Sequence, residues 1–127
     1  MSWIWVDLAV AIAAHEEQLA EHGGAVGLRD PNMLESAMAR PLNLVAYGEP
    51  DAAELAAAYA FGIARNHPFV DGNKRTAAVV SETFLVLNGL RLSCDDVELV
   101  TTFLALAAGE LTVDQLSDWF RAHIEPG

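Results

Sequence analysis

Two segments in which almost every helical face is apolar, Ala52 to about Asn66 and about Asn73 to Asn88, flank a single short polar run. A helix that is apolar all round has to be buried, so both segments belong at the centre of whatever this chain forms. The first opens at Asp51 with Glu54 in capping-box spacing and continues through Leu55, Ala58, Tyr59, Phe61 and Ile63. The second carries Val79, Val80, Phe84, Leu85 and Leu87 and stops at Asn88-Gly89. Polar groups placed between two such helices sit on a rigid scaffold at the mouth of the core, where chemistry is usually held.

The punctuation elsewhere also reads as helix ends. A first helix, Asp7 to His22, places Leu8, Ile12 and Leu19 toward the core with His15 and the Glu residues outward, and Gly23-Gly24 stops it. Asp30 caps a short helix with Pro31 at its first position, which ends before Pro41. Leu42 to Pro50 reads as a loop or small hairpin. Asp95 with Glu98 opens a helix to about Ala108, and Thr112 with Gln115 opens one to about His123. The expected fold is all-α, with about six helices in a single domain spanning residues 1–127.

Composition narrows the function. A hydrophobic fraction of 53% argues against disorder, and no apolar run is long enough for a membrane span. Trp3 to Ala14 carries Asp7 and lacks a preceding basic stretch, so a signal peptide is not expected and the protein reads as cytoplasmic. Cys94 is the only cysteine, which removes intrachain disulfides and cysteine-only zinc sites and leaves a spectator thiol. A net charge of −11 disfavours direct nucleic-acid binding, so a bound phosphate needs a local positive site. Three of the seven Lys and Arg residues, Arg65, Lys74 and Arg75, fall between positions 65 and 75, so the positive charge is concentrated at the polar run.

That run is His67-Pro68-Phe69-Val70-Asp71-Gly72-Asn73-Lys74-Arg75. Gly72 lets the backbone bend, and Asn73 to Arg75 form the first turn of the next helix, whose free N–H groups and dipole attract an anion. Arg75 can add a bidentate fork to phosphate oxygens and Lys74 a mobile point charge. Asp71 can hold Mg²⁺ against the same oxygens. His67 can accept a proton at neutral pH from a hydroxyl that attacks the phosphate. Phe69 points into the core as an anchor, and Pro68 fixes the exit from the preceding helix. Taken singly, these residues also fit a capped interhelical turn with a satisfied core histidine and solvated cations. Together they supply a base, a metal ligand and an anion site. His15, His22 and His123 lack metal-ligand spacing and read as ordinary surface or helix-end residues, and no Walker-type phosphate loop is present.

The run resembles the H-x-F-x-[DE]-G-N-[GK]-R signature of the Fic/Doc superfamily, in the lysine-bearing form of the death-on-curing (Doc) toxins. Gly27-Leu28-Arg29-Asp30, Leu34-Glu35-Ser36-Ala37, Arg40-Pro41 and Asn88-Gly89 are similar to Doc landmarks, so the likeness spans nearly the whole chain. It implies the Fic fold, with a small flap before the motif, here Leu44 to Glu49, that docks a target by strand pairing. It also implies that His67 is the base, that Asp71 binds the metal, and that Gly72, Asn73 and Arg75 cradle phosphate.

AMP-transferring Fic enzymes carry Gly where this chain has Lys74, and a second Arg where it has Ala78. The Doc resemblance therefore implies a kinase-type enzyme using ATP and Mg²⁺, which transfers the γ-phosphoryl group to a threonine of elongation factor Tu and stops translation. No Ser or Thr is followed four residues later by Glu, so the self-inhibitory helix of many Fic proteins is missing. A separately encoded Phd-like antitoxin, folding a disordered tail into a groove, is expected instead. The alternatives are a protein adenylyltransferase and a non-catalytic module that binds a nucleotide or a partner.

Overall fold

The computed structural model describes residues 2–127. They form α1 Leu8–His22, α2 Pro31–Tyr47, α3 Ala52–Asn66, α4 Asn73–Leu87, β1 Leu90–Leu92, α5 Asp96–Ala107, α6 Val113–His123 and β2 Ile124–Pro126. The expectation of six helices holds, and five of them begin where a side chain accepts a backbone N–H: Asp7, Asp30, Asp51, Asp95 and Thr112. The boxes Asp51/Glu54 and Thr112/Gln115 are reciprocal, each satisfying two otherwise orphaned donors. No helix among the described residues is long and apolar enough to cross a membrane.

α3 forms the axis of the fold and packs against α2, α4 and α6. Its Leu55, Ala56, Ala57, Tyr59, Ala60 and Ile63 are all fully buried, as its unbroken apolar sequence requires. Small residues let the neighbours approach closely. At Gly62 an added Cβ would stand 3.0 Å from the Ala37 Cα of α2, so this crossing needs glycine. α4 packs beside α3 and buries Phe84 against Trp3, Trp5 and Tyr59. Asn88 at the end of α4 fastens the N-terminal segment by bonds to both the N–H and the carbonyl of Ile4.

Two expectations fail. α2 does not end before Pro41 but runs through it to Tyr47, so Leu42 to Tyr47 are helical rather than a loop or hairpin. Pro41 forfeits an N–H and crowds the preceding turn, at a cost of about 3 kcal/mol in a helix interior. It is nevertheless buried, and with Leu34, Ala37 and Met38 it completes a stripe at i, i+3, i+4 and i+7. Burial of that stripe on α3 offsets the lost bond. The flap expected at Leu44 to Glu49 is therefore absent as a hairpin. Strand pairing lies elsewhere: β1 and β2 are antiparallel, with Leu90 opposite Pro126 and Leu92 opposite Ile124.

The second failure concerns single positions of α1: His15, expected outward, is buried. The buried residues of this helix are Ala11 and His15, whereas Leu8 is 38% exposed. Ile12 packs against the core as expected, and His15 shares its face with Ala11 and Ile12, entering the interior where it finds a polar partner, as described next.

Candidate functional site

α3 ends at Asn66, and the chain turns at His67 with φ 49° and ψ 54°. His67 is the only non-glycine residue with positive φ among the described residues. For an L-residue this left-handed conformation costs roughly 1–3 kcal/mol and persists only where the surroundings enforce it. Arg29 provides the restraint, donating from Nε to the His67 carbonyl at 2.6 Å and from Nη2 to the Asn66 carbonyl at 2.9 Å. The N–H groups of Arg29 and Asp30 donate to the Pro68 carbonyl at 2.7 and 3.0 Å, and Val70 N–H donates to Gly27. The segment before α2 thus zips along the motif loop.

Asn73 closes the loop from the other side. It is 6% exposed. Its Oδ1 accepts from the Phe69 N–H at 3.0 Å and its Nδ2 donates to the Phe69 carbonyl at 2.9 Å. These two bonds fix which end of the amide is nitrogen, and that nitrogen also lies 3.3 Å from His67 Nδ1. Phe69 itself is 2% exposed, the anchor expected from sequence.

Gly72 adopts φ 78° and starts α4 without any side-chain cap. α4 is the one helix so built: no side chain accepts from its first-turn N–H groups, and Thr76 N–H returns to the Gly72 carbonyl. His67, Asp71, Gly72, Asn73, Lys74 and Arg75 line one cavity of about 890 Å³. Neither Lys74 nor Arg75 takes part in an ion pair with the described carboxylates, although the chain holds 18 acidic residues. An uncapped helix start with two free cations is a setting for an anion. Leu99, Val100 and Phe103 of α5 give the cavity an apolar wall.

Asp71 is the motif's own carboxylate in this cavity. Its Oδ1 accepts from Gly72 N–H at 2.8 Å and its Oδ2 from Ala25 N–H at 3.3 Å, so each oxygen keeps a lone pair. No group of three or more His, Cys, Asp or Glu side chains among the described residues could hold a metal by itself. A lone carboxylate fits Mg²⁺, which commonly takes one or two protein carboxylates and completes its shell with substrate phosphates and water.

Several groups at or around the cavity escaped the sequence reading. His15, expected on the surface, is buried with its Nε2 2.8 Å from the Asp71 carbonyl. His22 edges the cavity instead of serving only as a helix end. Glu82 and Asp96 also line it, and burial, aided by the charge of Asp96, pushes the Glu82 carboxyl above its ordinary range. Glu82 lies two turns after Arg75 on the same face of α4, a spacing that could have marked it, whereas His15, His22 and Asp96 come from α1 and α5, far from the motif in sequence. His123 keeps its helix-end role, its Nε2 2.7 Å from Glu98. Burial and nearby acids raise the Cys94 thiol, which keeps it protonated and poorly nucleophilic.

A six-helix fold here brings an imidazole, a carboxylate and an uncapped, cation-bearing helix start to one cavity, a setting suited to an anion. The chain belongs to the Fic/DOC family, whose pattern it matches over residues 5–85. It is similar to Protein kinase doc of Escherichia phage P1, 37% identical over 111 residues, which is 87% of each chain. It is also similar to Toxin Doc of Mycolicibacterium smegmatis, 46% identical over 76 residues, or 58% of each chain.

Proposed function

We propose that this chain is a Doc-type toxin that transfers the γ-phosphoryl group of ATP to a threonine hydroxyl of a translation factor, elongation factor Tu. The observation that carries the reading is the convergence of His67, Asp71, Lys74 and Arg75 on the cavity at the uncapped start of α4. Its likeness to a protein named as a kinase supports the choice of chemistry.

In the proposed reaction His67 takes the proton of the attacking hydroxyl. The hydroxyl oxygen bonds to the γ-phosphorus as the bond to the β,γ-bridging oxygen breaks, releasing ADP. Asn73 can only donate to His67 Nδ1, so the lone pair of the resting imidazole lies at Nδ1 and Nε2 carries hydrogen. Proton uptake at Nε2 thus requires the other tautomer and loss of the Asn73 contact. The amide groups of Asn73 and Lys74 beyond the Gly72 bend, the Arg75 fork and the Lys74 ammonium hold the phosphate chain. Mg²⁺, held by Asp71 and the phosphates, would neutralise charge developing on the leaving oxygen. Lys74 fills space and supplies charge where AMP-transferring relatives have glycine, which favours the nucleotide orientation that presents the γ-phosphate.

The remaining parts of the reading are a cytoplasmic setting and a Phd-like antitoxin whose tail folds onto this chain. The test is mass spectrometry of elongation factor Tu after incubation with ATP and Mg²⁺. A gain of about 80 Da, abolished by His67→Ala, supports phosphoryl transfer, and a gain of about 329 Da identifies AMP transfer instead. No modified protein anywhere in a lysate would leave a binding module.

A further inference from the structure

α1 is hydrogen-bonded to the motif loop through the side chain of His15. His15 is 3% exposed, and its ring lies parallel to that of Phe69 with centroids 3.8 Å apart and planes within 6°. Its Nε2 lies 2.8 Å from the Asp71 carbonyl. A carbonyl oxygen only accepts, so Nε2 carries the hydrogen. A buried imidazole without a partner is costly, and packing against Phe69 would be served equally by an apolar ring. Asp71 is thereby held twice from the same side, at its carbonyl by His15 and at its carboxylate by Ala25 in the loop that leaves α1.

The restraint matters because the next residue is Gly72, at φ 78°. Glycine moves cheaply between backbone regions, so the Asp71–Gly72 peptide is the joint about which the carboxylate could swing away from the first turn of α4. The His15 bond closes that joint. We propose that His15 is a positioning residue that fixes Asp71 for the divalent cation of the bound nucleotide, an inference that rests on the reading of Asp71 as the cation's ligand.

Titration calorimetry with the full-length protein tests this, using an ATP analogue with a non-hydrolysable imido β,γ bridge, first with Mn²⁺ and then with EDTA. The ratio of the two affinities isolates the cation's contribution. In the wild type the ratio exceeds one, and Asp71→Ala abolishes it. His15→Phe keeps the stacked ring but removes the donor, and should lower the ratio about tenfold while leaving the metal-free affinity unchanged. His15→Gln restores a donor and should recover most of the ratio, which a purely structural role would not produce. If circular dichroism shows His15→Phe unfolded, His15→Met replaces it as the donor-free variant. A wild-type ratio in the donor-free variant overturns the proposal, as does an equal loss of both affinities in the donor-free variant and His15→Gln. A wild-type ratio of one removes the metal role of Asp71, and the inference with it. The expected pattern without any phosphorylated target would uphold the inference and reject the transfer reaction.

Discussion

Arg29 and His67 are bound through the backbone of one and the side chain of the other: the guanidinium forks onto the carbonyls of His67 and Asn66 at 2.6 and 2.9 Å. This contact caps α3 with a cation at the negative end of its dipole, and it holds His67 in a conformation the residue would otherwise avoid. Replacing Arg29 by Ala should lower stability by about 1–2 kcal/mol, read from the midpoint of urea unfolding. Phosphoryl transfer should fall more than that loss explains, because the imidazole is then free to leave its position. Wild-type turnover in a destabilised Arg29→Ala protein would show that the fork serves stability alone.

Since His67 is strained, its replacement should separate stability from activity. Asn tolerates the left-handed region better than most residues, and His67→Asn should melt no lower than the wild type. Turnover should drop by about 10²–10⁴ with the loss of the base, while ATP affinity persists. A melting temperature several degrees below wild type would mean that the imidazole contributes to folding beyond its backbone conformation.

Most of the helices and the motif were legible because their signals are local. Asp51 with Glu54, Asn88-Gly89 and Thr112 with Gln115 mark helix ends by side chains that satisfy nearby backbone groups. His67 through Arg75 are contiguous, so their convergence follows from one turn. Pro41 misled because helix termination at proline is also a local rule, overridden here by burial of a stripe that continues through it. The stripe from Leu34 to Pro41 was itself present in the sequence. His15 and Arg29 were illegible as parts of the site, since their partners are backbone carbonyls 56 and 38 residues away. Backbone carbonyls carry no residue-type signal.

Gly24 tests the carboxylate side of the same arrangement. A Cβ added there would stand 2.7 Å from Asp71 Oδ2 and 3.1 Å from Leu19 Cδ2, and the residue has φ 126°. Gly24→Ala therefore strains its own backbone and pushes the Asp71 carboxylate aside. The Mg²⁺ concentration giving half-maximal phosphorylation should rise roughly tenfold, with ATP affinity in EDTA near wild type. An unchanged Mg²⁺ requirement would mean that the carboxylate has room to yield without leaving its cation.

Glu82 works against stability. Burial raises its carboxyl above the ordinary value of 4.5, with a further contribution from Asp96. A carboxyl raised in the folded state binds its proton more tightly there than in the unfolded chain. The fold is therefore favoured at low pH and loses stability as pH rises from the unfolded value through the folded one. Glu82→Gln removes this penalty, and should unfold at higher urea than the wild type at pH 7. The advantage should vanish below about pH 4, where both proteins carry a neutral group at this position. Because Glu82 lines the same cavity as Lys74 and Arg75, the substitution also removes a negative charge from the field that a nucleotide meets, so ATP should bind no more weakly and its affinity should fall more steeply with salt. Weaker ATP binding in Glu82→Gln would assign the carboxylate a direct contact with the nucleotide.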